Sequence, residues 1–109
     1  MNSDFLPEAE DEFREATRYY ETEAPGVGVT FVAEVRRAVG WIVDNPYAAV
    51  AVGSGIRSKS LNHFPYNIFY AVEPDLILIV AVAHQKRRPR YWRARIKQIK
   101  ERKVLTNED

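Results

Sequence analysis

Eight consecutive apolar residues, Leu76 to Ala83, set the tightest limit on what this chain of 109 residues can fold into. The run LILIVAVA is far too short to cross a bilayer, which takes about 20 apolar residues. It is rich in β-branched side chains, and Glu73-Pro74-Asp75 marks a tight turn just before it. Side chains along a strand alternate between faces, so a strand apolar at every position needs cover on both sides. Leu76–Ala83 is therefore expected to be the central strand, and the rest of the chain must supply its neighbours and its cover.

The neighbours lie directly upstream. YNIFYAV, ending at Val72, is aromatic and β-branched and pairs with the apolar run as an antiparallel hairpin. Before it, IRSKSLNHF from Ile56 alternates and is half polar, and Pro65 suits a strand start, where a missing N–H is tolerated. Residues 47–55, with Gly53 and Gly55, are expected to be a loop. The cover comes from the N-terminal half. After a short strand-like start around Phe5, Pro7 and early carboxylates open a helix with Ala9, Phe13, Ala16 and Tyr20 on one face. Ala24-Pro25-Gly26 breaks it. A second helix over Val27–Val43 carries a stripe of Phe31, Val35, Ala38 and Ile42, widened by Val32, Val39 and Val43, and Asn45-Pro46 ends it. The short connection makes the two helices an antiparallel hairpin. Beyond Pro89, the residues Trp92, Ile96 and Ile99 share a face among many cations, which predicts a short basic C-terminal helix. The fold class is α+β, in the order β-α-α-β-β-β: one domain over residues 1–109, with a helical hairpin on one face of a small, mainly antiparallel sheet.

Composition narrows the chemistry. The chain has no cysteine, which excludes disulfides, thiol nucleophiles and cysteine metal sites. It shows neither a metal-ligand spacing nor a phosphate-cradling glycine loop, so no cofactor is expected. The acidic start is unlike a signal peptide, and the reading is cytoplasmic, with no membrane partner. A formal net charge of +1 conceals a strong asymmetry. Residues 1–24 hold eight carboxylates against two arginines, whereas residues 86–103 hold ten Lys or Arg against Glu101. Either the two ends neutralise each other in the fold, or the basic end meets something anionic.

The sequence blocks FLPEAEDEFREATRYYE, APGVGVTFVAEVRRAVGWIVDNP, GIRSKSLNHFPYNIFYAV and DLILIVAVAHQKRRPRYW follow one another in a distinctive order. Within them Phe64-Pro65-Tyr66, Ile68 and Tyr70 precede His84, Arg88, Pro89, Tyr91 and Trp92. In these features, nearly end to end, the chain resembles the RelE/ParE superfamily of bacterial toxins, in its plasmid-stabilisation-type branch. The resemblance implies the toxin of a type II toxin–antitoxin pair, held inactive in a hetero-oligomer with a small antitoxin. Toxins like RelE cut messenger RNA on the ribosome without a metal; toxins like ParE block DNA gyrase.

Metal-free RNA cleavage needs a base, cations for the phosphorane and an acid for the leaving oxygen. The candidate catalytic residues are His84, at the exit of the apolar strand, Arg57 and Lys59, two apart on one strand, Arg88, and Tyr91, which the resemblance places near a base-stacking tyrosine. Singly, each has a plainer fate: a solvated edge charge, a histidine bonded to backbone, an aromatic closing the core. Trp92 is assigned to the core, and His63 has weaker claims than His84. Lys86, Arg87, Arg90 and Arg93 are candidate contacts to the target, and Tyr19 and Val29, on the hairpin, to the antitoxin. Two positions depart from the nuclease pattern that the resemblance implies, since Asn67 follows Tyr66 and Gln85 follows His84 where arginines are expected. The preferred reading is therefore a ParE-like inhibitor of DNA gyrase acting through its surface. The alternatives are a RelE-like endoribonuclease and a non-toxic nucleic-acid-binding member.

Overall fold

A computed structural model describes residues 1–107. Strand β1 (Asn2–Phe5) leads through Leu6 into helix α1 (Pro7–Glu23), and helix α2 (Val27–Asp44) follows after a three-residue connection. Four strands come next: β2 (Val50–Gly53), β3 (Ile56–Ser60), β4 (Tyr66–Glu73) and β5 (Leu76–His84). A 3-10 turn at Tyr91–Arg95 runs into helix α3 (Ile96–Asn107). The five strands form one mixed sheet in the order β1-β5-β4-β3-β2, with β1 parallel to β5 and the other pairs antiparallel.

The expected α+β architecture is present, with one strand more than the pattern predicted. Val50–Gly53, expected as loop, forms β2 at the sheet edge. Its ladder to β3 is interrupted by a register shift between Ala51 and Gly53, and the turn Gly53-Ser54-Gly55 has positive φ throughout. A four-residue strand bracketed by glycines is too short for periodicity to reveal; pairing with β3 creates it.

The apolar run is buried from Ile77 to Ala83. It lies one place from the edge, with β4 at the geometric centre, but it is interior and covered on both faces. On one face the helical hairpin contributes Ala9, Ala16, Phe31, Val35, Ala38 and Ile42. There Tyr20, Phe31, Phe64 and Tyr66 form an aromatic cluster with ring centroids 4.8–6.0 Å apart. On the other face Trp92 packs on Phe69 at 5.7 Å between centroids, and Ile99 joins the same core.

The hairpin closes at a glycine. A Cβ on Gly28 would lie 2.9 Å from the Thr17 carbonyl oxygen, so only glycine lets the helices approach this closely. The Glu21 carboxylate accepts the N–H groups of Gly26 and Gly28 at 3.0 Å, capping the start of α2 from the neighbouring helix.

Trp92 is 1% exposed, and its Nε1–H is buried without a partner among the described residues. Trp92→Ala is expected to cost about 3–5 kcal/mol in urea unfolding, the usual loss for a buried aromatic. Trp92→Phe removes an unpaired donor along with the ring area and is expected to stay within about 2 kcal/mol of wild type.

Candidate functional site

The candidates begin where β5 outruns β1. Phe5 pairs with Ile79, and the Leu6 N–H donates to the Ile79 carbonyl oxygen at 2.9 Å; there β1 ends. The next backbone polar groups on that edge, at the buried Val80 and Val82, are taken by side chains. Glu12 Oε1 accepts the Val82 N–H at 3.1 Å, and Arg95 Nη1 donates to the Val80 carbonyl oxygen at 2.9 Å. Arg95 and Glu12 also pair with each other through two bonds of 2.9 Å. The Tyr91 hydroxyl donates to Glu12 Oε2 at 2.6 Å, while Arg95 and Arg87 lie 5.0 and 4.1 Å from the centre of its ring. Burial, and then the adjoining Glu12 carboxylate, push the Tyr91 hydroxyl far above its usual range, so it stays protonated.

His84 faces the same groove, which has a volume of about 290 Å³ and includes Glu15, Tyr19 and Tyr66 in its walls. Its ring packs edge-on to Tyr66, and its Nδ1 accepts the Lys86 N–H at 3.0 Å. The neutral ring therefore carries its proton on Nε2 and presents a donor to the groove, with the Nδ1 lone pair already engaged. Arg87 is committed to the Tyr91 ring. Arg88, Lys86 and Arg93 are exposed, and Arg90, in a left-handed conformation, lays its guanidinium beside Gly53 of β2.

Arg57 and Lys59 are elsewhere. Arg57 Nη1 donates to the carbonyl oxygens of Tyr47 and Ala49 at 3.0 and 2.8 Å, holding the α2–β2 connection. Lys59 Nζ sits 4.5 Å from the Trp41 ring centre on α2. On β4, His84 pairs with Tyr66, whereas Lys59 and Arg57 pair with Ile68 and Tyr70. With β4 between them, their backbones are roughly 10 Å apart across the sheet before any offset along it. His84 and Tyr91 line one groove, Lys59 a second and Arg57 a third. The five candidates do not meet around one point. Asn67 and Gln85, the two departures, do meet: Asn67 Oδ1 accepts from Gln85 Nε2 at 3.3 Å and from Ser60 Oγ at 2.9 Å. A neutral network stands where the nuclease pattern would place cations.

Sequence reasoning passed over three residues that the structure singles out, Glu12, Arg95 and Glu34, and ranked a fourth, His63, below His84. Glu12 and Arg95 looked like ordinary members of the acidic and basic ends. Glu34 and His63 form the other pair. Glu34 is 5% exposed, and its Oε2 accepts the N–H groups of Asn62 and His63 at 2.6 and 3.0 Å. Its Oε1 lies 2.7 Å from His63 Nδ1. One signal was available: Glu34 lies three residues past Phe31 and one before Val35, inside the apolar stripe. Among the described residues no group of carboxylates and histidines is arranged to hold a metal, and no helix is long and apolar enough to cross a membrane. Tyr19 and Val29, on the hairpin, are 56% and 73% exposed.

A family model described as the ParE toxin of the type II toxin–antitoxin system parDE matches residues 4–89. Among solved structures, one titled as a chromosomal ParDE toxin–antitoxin system from P. aeruginosa matches with a TM-score of 0.68. It is 18% identical, and the match covers 77% of this chain and 95% of that one, a likeness of fold. No curated protein matches the sequence significantly.

Two measurements probe the site's framework. Glu12→Gln leaves the Arg95 guanidinium, 15% exposed, without its counter-charge, and is expected to cost about 2 kcal/mol in urea unfolding, less than for a fully buried pair. For Glu34, burial raises the carboxyl, but the bonds from the His63 N–H, the His63 ring and the Asn62 N–H outweigh it, leaving the group below its ordinary 4.5. A depressed carboxyl stabilises the fold above its unfolded value, and that contribution is lost as pH falls through the folded one. The stability gap between wild type and Glu34→Gln should therefore narrow as the pH is lowered below 4.5.

Proposed function

The chain belongs to the ParE toxin family of type II toxin–antitoxin systems, and we propose that it arrests growth by binding DNA gyrase through its surface rather than by cutting RNA. The observation that carries this reading is the dispersal of the would-be reacting groups. Arg57 is spent on two loop carbonyls, the Tyr91 hydroxyl on Glu12, and the His84 Nδ1 on a backbone N–H. A general base needs a free lone pair within reach of the proton it takes, and His84 offers a donor instead. A surface-acting toxin requires none of these groups to react. What it requires is an accessible patch, and the exposed cations of the β5–α3 connection supply one: Lys86, Arg88, Arg90 and Arg93.

The cognate antitoxin is the second partner. A groove of about 570 Å³ runs along the hairpin, with Phe13, Thr17 and Val32 in its walls and Arg14, Arg18 and Arg36 among the charges that line it. Such a surface suits an amphipathic antitoxin segment with acidic flanks. Tyr19 and Val29 extend the accessible surface of the same two helices.

Expression without antitoxin separates the activities. Growth arrest with relaxed plasmid DNA and intact messenger RNA is expected, and His84→Ala and Tyr91→Phe should retain it. The combined charge removal Arg88→Gln with Arg93→Gln is expected to relieve arrest at least tenfold in the inducer concentration required. Rapid loss of messenger RNA, abolished by His84→Ala, would defeat the gyrase reading.

A further inference from the structure

His63 is unusual among exposed histidines. Its side chain is 77% exposed, yet it is fixed by a carboxylate that is only 7% exposed. Holding a solvent-facing ring in one orientation costs rotamer freedom and gains little burial. Because Nδ1 faces Glu34, Nε2 points away from it, on the far edge of the ring. The Glu34 charge is already met by three donors: two backbone N–H groups and the imidazole.

The ring stands at an open groove of about 230 Å³ between the C-terminal half of α2 and β3, with Arg37, Trp41, Lys59 and Ser60 among its walls. Lys59 is steadied over the Trp41 ring, and neither it nor Arg37 has a carboxylate partner among the described residues. Thus a helix, a strand and a loop each bring one nitrogen-bearing head to the same groove. Arg37 and Lys59 have no ion pair among the described residues, and the Glu34 carboxylate that also lines the groove is taken up by His63 and two backbone N–H groups. Arg87 and Arg95, by contrast, are both bound up with Tyr91.

We propose that Arg37, Lys59 and His63 form an anion site for the phosphate of a nucleic-acid backbone, separate from the basic C-terminal segment. Because the His63 Nδ1–H is given to Glu34, Nε2 can donate to a phosphate oxygen only in the imidazolium form. Arg37 and Lys59 donate as permanent cations, and the two non-bridging oxygens of a backbone phosphate can accept from all three. Glu34 is the positioning residue, holding the ring so that Nε2 is presented outward. Arg57, two residues before Lys59, is no part of this site, because the α2–β2 connection holds it. The site is independent of the gyrase reading and does not require the protein to cleave what it binds.

The test uses the full-length protein, a fluorescein-labelled hexauridylate, and the NMR signals of the His63 ring and the Trp41 indole. Both signals are expected to shift on titration. Arg37→Gln, Lys59→Gln and His63→Gln should each weaken binding roughly tenfold. Losing either permanent cation should also reduce the slope of log affinity against log salt by about 0.7. Unchanged thermal melting would confirm that substitutions at exposed Arg37 and His63 and half-buried Lys59 leave the fold intact, and Arg88→Gln should leave the two NMR responses as they are. If inorganic phosphate moves both signals as strongly as the oligonucleotide at equal concentration, the anion site stands and its ligand is free phosphate. Signals unmoved by either probe, or an Arg37→Gln, Lys59→Gln double variant that binds like wild type, would overturn the proposal. So would hexaglutamate displacing the oligonucleotide at equal concentration, because the groove would then fit an acidic peptide.

Discussion

The arrangement of this molecule depends on how a buried strand edge is closed. Backbone N–H and C=O groups removed from water must find partners, and β5 carries such groups past the point where β1 stops. The Glu12–Arg95 pair meets them, with the carboxylate taking the Val82 N–H and the guanidinium giving to the Val80 carbonyl oxygen. Two side chains thus do the work of a continued strand. Because one comes from α1 and the other from the end of the 3-10 turn, the same bonds tie the C-terminal segment to the hairpin. That fixes Tyr91 against Glu12, draws Arg87 over the Tyr91 ring, and leaves Trp92 to cover the opposite face of the sheet.

This closure answers the question raised by the charge asymmetry. The acidic and basic ends do meet, but only at their roots. Glu12 engages Arg95, and Glu8 accepts a hydrogen bond from Gln98, which holds its carboxyl below the usual range. Lys86, Arg88, Arg90 and Arg93 have no ion pair among the described residues. The fold uses Arg95 in an ion pair and Arg87 over the Tyr91 ring, and leaves at least four cations of the cluster in solvent, so neutralisation within the fold accounts for only part of the asymmetry.

What could be read from the sequence follows the range of the interaction concerned. The helix faces of Phe31, Val35, Ala38 and Ile42, the buried run from Ile77 to Ala83 and the core role of Trp92 are all marked by local pattern. The edge strand Val50–Gly53 was missed because its existence depends on β3. The candidate site was still less legible. Glu12 lies 70 residues from Val82, and Glu34 lies 29 from His63; neither pairing leaves a periodic trace. Glu34 left a partial one, a carboxylate inside an apolar stripe, which announces a buried charge without identifying its partner.

Arg57 has local partners that spacing alone does not reveal. Two cations at alternate positions of a strand do point to one face, but that face here is covered by α2 and the connection after it. An arginine in such a place gains more from two carbonyl oxygens at 2.8 and 3.0 Å than from waiting for a phosphate, since bonds to a charged donor stabilise by about 1.5–3 kcal/mol each. On the opposite face, Ser60, Asn67 and Gln85 satisfy one another without any charge. Stabilising a phosphorane needs excess positive charge converging on one point, held there against its own repulsion. The five candidate groups do not converge in this way: Arg57 holds the α2–β2 connection, Lys59 lies over the Trp41 ring, and His84 and Tyr91 line a separate groove.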